Sequence, residues 1–316
     1  TNTFGQTLVR AVEIVFGIIT LGLITRYLGQ EGFGIYTTVT AILQLFIVLV
    51  DLGLYLTLLR EISADDGSRA ESITNNIFTI RVISSALFLI LAIIIVGLSG
   101  YSPTIKLGVI TLSGTFLFAS FIATLTALFQ RHLQMIKIAV ISAANKVFLL
   151  GIMLAVIMYD LGIQAIFIGS SIIMLLSFLS LRYFMTKLPT PIRLKFTYDP
   201  VYWRTVMQRT WPIALTTALN LVYFKSDTVI LSMFHSQESV GIYGASFRVL
   251  EIISTFPHMF MGLIMPLLTA AWISRDTARL TLVWQKAFIF FSFITLPLIA
   301  GAFVVGEPLM ALVAGN

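Results

Sequence analysis

Charged side chains inside long apolar runs are the groups in this chain that could do chemistry. Each costs about 2.5 to 3.5 kcal/mol at the centre of a bilayer unless it meets water or a partner. Arg10 and Glu13 share one helical face, as do Arg248 and Glu251, because residues three apart lie one above the other on a helix. Lys225 and Asp227 occupy one run, Lys146 stands beside Asn145 in another, and Asp51 interrupts a fourth. Each Arg/Glu pair admits two readings, a self-neutralising intrahelical ion pair or one edge of a hydrated cavity. Since the charges recur on several runs, lipid-facing positions cannot hold them all, and convergence on a cavity is expected. There Arg10, Lys146, Lys225 and Arg248 would bind an anion, with a diphosphate supplying the charge that Glu13 and Glu251 do not. Asp51 and Asp227 could bind a proton or sodium ion, or serve structure alone. Arg81 and Lys286 fall near inner ends, where snorkelling accounts for them.

Other chemistries lack their residues. With no cysteine there is no disulfide, thiolate metal site or cysteine nucleophile. His132, His235 and His258 share no metal-ligand spacing, no phosphate-binding glycine loop appears, and no cofactor is called for. The net charge of +6 sorts beside the apolar runs and does not point to nucleic acid.

The elements that must position these charges are membrane helices. The composition is 58% hydrophobic and 11% charged with mean hydropathy +0.98, against roughly 25% charged in ordinary soluble domains. Continuous runs near ~20 residues imply spanning helices and not barrel strands. Nine spans are expected, over 7–27, 35–59, 76–98, 105–129, 138–159, 163–184, 210–233, 242–268 and 283–305. The heptapeptide Gln30-Glu31-Gly32-Phe33-Gly34-Ile35-Tyr36 returns 207 residues later as Gln237-Glu238-Ser239-Val240-Gly241-Ile242-Tyr243, with five of seven positions identical. Each copy reads as a short loop and a first helical turn. Six spans separate the copies, so the architecture is a parallel repeat of six-helix lobes.

The expected organisation is all-α: a first lobe over 1–184, a cytoplasmic linker over 185–208 broken by Pro189-Thr190-Pro191 and Asp199-Pro200, and three helices of a second lobe over 209–316. On this reading the chain is a fragment of a longer protein. Linker Lys187, Arg193, Lys195, Arg204 and Trp203 could hold anionic headgroups, or simply follow the positive-inside bias. Loops after even-numbered spans hold twelve lysines and arginines and those after odd-numbered spans two, Arg26 and Lys106. That asymmetry places the amino terminus in the cytoplasm.

Arg26-Tyr27-Leu28-Gly29-Gln30-Glu31-Gly32-Phe33-Gly34-Ile35-Tyr36 with Asp51-Leu52-Gly53-Leu54, and Lys225-Ser226-Asp227-Thr228-Val229-Ile230-Leu231 before Val240-Gly241-Ile242-Tyr243, resemble the polysaccharide transporter family. These are the Wzx-type oligosaccharide flippases of the superfamily that includes MATE antiporters and lipid II flippases. The resemblance covers essentially the whole chain. It implies a MATE-like two-lobe bundle that moves a polyprenyl-diphosphate-linked oligosaccharide between leaflets of the cytoplasmic membrane by alternating access, with possible H+ or Na+ coupling and membrane lipids as the other partners. A monomer is expected. Arg248-x-x-Glu251 is similar to a helix 8 pattern of lipid II flippases, and Arg10 stands where those often place a cation. Two alternatives stay open: a cation-coupled drug antiporter, which would want an acidic cavity, and a membrane polymerase or ligase of the same glycan, for which the outer loops are short.

The cysteine-free chain allows the orientation to be tested directly. Ser99→Cys should react with an impermeant maleimide in intact cells, and Thr190→Cys only after lysis; the reverse pattern would invert the topology.

Overall fold

A computed structural model describes residues 2–51, 53–65 and 69–314, with some side chains inside these ranges left undescribed. Among the described residues all regular structure is helical: α1 (Asn2–Asp51), α2 (Leu54–Ala64), α3 (Ala70–Leu98), α4 (Pro103–Arg131), α5 (Met135–Tyr159), α6 (Gly162–Met185), α7 (Pro200–Phe234), α8 (Gln237–Ile273) and α9 (Thr277–Ala314). Six of the helical stretches are long and apolar enough to cross a membrane, the first of them including α2. The protein is a multi-pass membrane protein.

Helix ends follow local chemistry. Asp199 accepts the N–H groups of Val201 and Tyr202, both at 3.0 Å, ahead of Pro200 at the first helical position. Ser102 with Pro103 does the same for α4. Between spans 1 and 2, where a loop is expected, the helical path breaks at Gly29 (φ 63°, ψ −174°), a conformation that only glycine adopts without strain, so α1 is two helices that meet at this kink. A left-handed Gly53 then separates α1 from α2.

The chain forms two compact units, Thr1–Gly241 and Ile242–Asn316. In the first, Leu58, Ile77, Leu125, Phe129 and Leu181 build an inner core, and Val39, Leu43, Ala92, Val109 and Phe167 an outer one. Helix α7 joins both: Val206 is fully buried in the inner core and Val229 packs on the outer. In the second unit Phe260 of α8 stacks on Phe290 of α9 at 4.3 Å between ring centroids.

The two copies of the heptapeptide pack on each other. A Cβ on Gly34 would stand 1.7 Å from the carbonyl oxygen of Gln237, and one on Gly241 would stand 2.0 Å from that of Gln30. Backbone therefore meets backbone in a reciprocal contact that leaves room for hydrogen alone. Thr38 donates to Gln237 Oε1 at 2.8 Å, and Tyr101 and Ser232 hydroxyls meet at 2.7 Å beside it.

At the end of the bundle where α3 begins, the segment between α6 and α7 is docked on α3. Lys195 N–H donates to Asn75 Oδ1, Thr197 N–H to Thr79 Oγ1 and Asp199 N–H to Asn76 Oδ1, at 2.9 to 3.0 Å. Trp203 Nε1 also donates to Asn76 Oδ1, and Leu188 and Ile192 enter the inner core. Extended backbone thus lies along buried side-chain acceptors.

Gly34→Ala should lower stability by about 1 to 3 kcal/mol, because the rigid Gln237 carbonyl cannot move aside. Gly17→Ala, where a Cβ meets nothing within 4 Å, should leave the melting temperature of purified protein unchanged.

Candidate functional site

Helix α1 packs against both α5 and α7. Its outer end is fixed to that of α5 by Tyr27, whose hydroxyl donates to Asp160 Oδ1 at 2.8 Å and accepts from Gly162 N–H at 3.0 Å. About fourteen residues inward from this contact on each helix, roughly 21 Å, stand Glu13 and Lys146. The two helices run the same way, so these groups share one level along the bundle. Both are half-buried, and neither makes an ion pair or hydrogen bond among the described residues. Neighbouring Asn145 accepts from Ser177 Oγ at 2.6 Å, which fixes that turn of α5 to α6.

The other expected site residues fall differently. The side chain of Arg10 lies outside the described residues. Lys225 and Asp227 are half-buried in the outer half of α7; Asp227 Oδ1 accepts Thr228 N–H at 2.7 Å, and both side chains have further polar or electrostatic partners. Arg248 and Glu251, in the second unit, pair with each other at 2.8 Å, each side chain about one-third exposed. Glu251 has a further partner besides Arg248.

Asp51 is paired with Arg81 at 2.6 Å. The expectation that Arg81 snorkels from an inner end is corrected here: Arg81 is fully buried. The reason is that α3 begins at Ala70, six residues before its expected start, so Arg81 sits deeper and α1, α3 and α4 close around it. Its Nη1 donates to Ser120 O at 2.7 Å, Ser84 donates to Val50 O, and Ser85 meets Ser120. Arg81, Ser84 and Ser85 form one polar face of α3, the sequence signal that would have revealed this network.

A second polar group went unread. A cavity of about 460 Å3 at the inner end of α7 is lined by Glu61, Arg69, Asp199, Tyr202, Thr205 and Arg209 among others. Tyr202 donates to Glu61 Oε2, and Arg209 lies 3.5 Å from Glu61. Burial first, then the Glu61 carboxylate, push the Tyr202 phenol well above its ordinary pKa, so the hydroxyl stays a donor. Among the described residues no cluster of metal-ligating side chains occurs.

A family profile described as "Polysaccharide biosynthesis protein" matches residues 1–272. The chain belongs to that family. Among solved structures the chain is similar to the inward-facing form of a multidrug resistance MATE family transporter of the MOP superfamily, at 14% identity and TM-score 0.69, over 95% of this chain and 72% of that one. The outward-facing form of a MATE family transporter gives 12% and 0.57 over 95% and 70%. A MOP superfamily transporter from Pyrococcus furiosus, described by the reverse polarity of its binding pocket, gives 12% and 0.59 over 99% and 74%. These likenesses establish the MATE/MOP transporter fold. A search of curated proteins returns no match.

Asp51→Asn should cost about 3 kcal/mol of stability, the low end for a broken buried pair because the Asp51 side chain remains 38% exposed. Asp51→Asn combined with Arg81→Met should recover most of that loss in thermal unfolding, since no unpaired charge is then left inside.

Proposed function

We propose that this family member is a flippase that carries an anionic lipid-diphosphate-linked oligosaccharide from the inner to the outer leaflet of the cytoplasmic membrane by alternating access, for surface polysaccharide synthesis. The observation that carries the reading is Lys146: a half-buried ammonium inside the apolar span of α5 with no protein partner among the described residues. A cation held there at a desolvation cost is neutralised when a phosphate oxygen reaches it. Lys225, Arg10 and Arg248 are the secondary cations of the proposal. Arg248 contributes less, because Glu251 already neutralises it.

Glu13, level with Lys146 and likewise without a partner among the described residues, is the proposed coupling group. Its charge opposes a bound phosphate, so loading of substrate favours uptake of a proton or sodium ion, and release favours its loss. Asp51 is a weaker candidate for that role, since it is already paired with Arg81. The amino terminus is cytoplasmic in this scheme. The protein acts as a monomer and moves its cargo without making or breaking bonds in it.

A drug antiporter of the MATE type shares the fold, but at 14% identity the likeness extends to the fold alone. That the Pyrococcus transporter is described by a pocket of reverse polarity supports treating pocket charge as variable on this scaffold. The unpaired ammonium favours an anion.

Lys146→Ala should reduce glycan export more than about tenfold while protein level holds, the scale of losing one buried charge contact. Lys146→Arg should retain part of it. Wild-type export by Lys146→Ala would remove the basis of the proposal.

A further inference from the structure

Helix α7 turns three different faces outward from its axis, and only two are accounted for. One packs on the first six spans through Val206, Thr210, Ala214, Thr228 and Ser232, all buried. A second carries exposed Leu215, Leu219 and Val222, the composition of a surface that meets hydrocarbon or other apolar side chains. The third carries Thr216, Asn220, Tyr223 and Asp227, spaced four, three and four apart and therefore one above another. Thr216, Asn220 and Tyr223 are exposed, Tyr223 by 77%, and Asp227 is half-exposed. At its cytoplasmic foot the same face continues as Tyr202, Thr205 and Arg209, which line the 460 Å3 polar cavity.

An amide and a carboxylate stacked along the spanning part of a helix do not face lipid. Such groups face the bundle interior or a water-filled space, and their depth can be read from the repeat. Under the 207-residue offset Gly241 corresponds to Gly34, and Asn220 corresponds to Glu13. The two glycines are in reciprocal contact, so counting inward from that contact puts Asn220 level with Glu13, and hence with Lys146. Three helices bring polar groups to a common level: a carboxylate on α1, an ammonium on α5 and an amide on α7.

The chemistry of the α7 face differs from that of Lys146. It holds no cation between Arg209 and Asp227, so it is not built for phosphate. It offers the Asn220 amide, with two donors and an acceptor, and the Thr216 and Tyr223 hydroxyls, which together match the mixed donor and acceptor hydroxyls of a sugar, while the Asp227 carboxylate is engaged elsewhere. An exposed tyrosine ring supplies a flat apolar surface on which the C–H face of a pyranose can rest, with its own hydroxyl as a further polar contact. We propose that Thr216, Asn220 and Tyr223 form the glycan-contacting wall of the transport path and set which oligosaccharides are accepted, while the diphosphate is held separately at Lys146. This rests on the flippase reading and adds to it a division of labour between α5 and α7.

The test is binding to the purified protein in nanodiscs of two probes, a bare polyprenyl diphosphate and the same lipid bearing a neutral trisaccharide of hexose and N-acetylhexosamine units. Wild-type protein should bind the glycosylated lipid about tenfold more tightly, the scale of one or two added hydrogen bonds with a ring contact. Asn220→Leu with Tyr223→Leu should abolish that gain and leave affinity for the bare lipid and the melting temperature unchanged. Tyr223→Trp should keep the gain, and Leu219→Ala on the apolar face should alter neither affinity. The glycan assignment is overturned if the double variant keeps the gain, if it loses the bare lipid too, or if wild-type protein shows no gain; binding of the bare lipid by wild-type protein would in those cases leave the flippase reading standing. Failure of wild-type protein to bind either lipid overturns both.

Discussion

Everything in the first unit is referred to one contact, the meeting of backbone with backbone at Gly34 and Gly241. Neither position tolerates a Cβ, and each glycine faces the carbonyl of the other copy's glutamine. A contact without side chains is short and stiff, so the register of α1 against the first turn of α8, where α7 ends, is set by covalent geometry and not by the shape of flexible groups. The reciprocity also turns a sequence repeat into a ruler. Residues related by the 207-residue offset lie at matching distances from the crossing, which is how Glu13 and Asn220 come to one level.

A second constraint is electrostatic. The interior holds one fully buried guanidinium, Arg81, with a carboxylate, a backbone carbonyl and surrounding hydroxyls around it. Lys146 is the contrasting case, an ammonium left only half-buried with nothing of its own to pair with among the described residues. The difference separates charge that belongs to the architecture from charge available to a ligand. By the same criterion Arg248, with Glu251 one turn along, is mostly architectural.

Much of the fold was legible because apolar length and charge asymmetry are properties of single segments. The helices, the repeat and the membrane class needed no knowledge of contacts. The break between spans 1 and 2 lies beside the repeated motif, as expected, but it is confined to Gly29, and a break that short has no signal in composition. Arg81 was misplaced because the start of α3 is polar: Asn75 and Asn76 look like loop residues until the linker backbone is laid against them. Of the site, residue types were readable and proximity was not. Lys146 and Glu13 stand out in sequence as charges in apolar runs, but their common level depends on Tyr27 reaching Asp160, a pairing 133 residues apart. The α7 face was missed for a different reason, since threonine, asparagine and tyrosine attract no attention in a search for charge.

The linker illustrates how backbone recognition separates two kinds of sequence change. Every second peptide N–H from Lys195 to Asp199 is taken by α3, while the side chains of Lys195 and Tyr198 are exposed. Among relatives, the identity of those residues is therefore free to drift, whereas inserting or deleting a single residue would put the wrong peptide groups opposite Asn75, Asn76 and Thr79. A stretch that looks like a permissive tether by composition is constrained in its length.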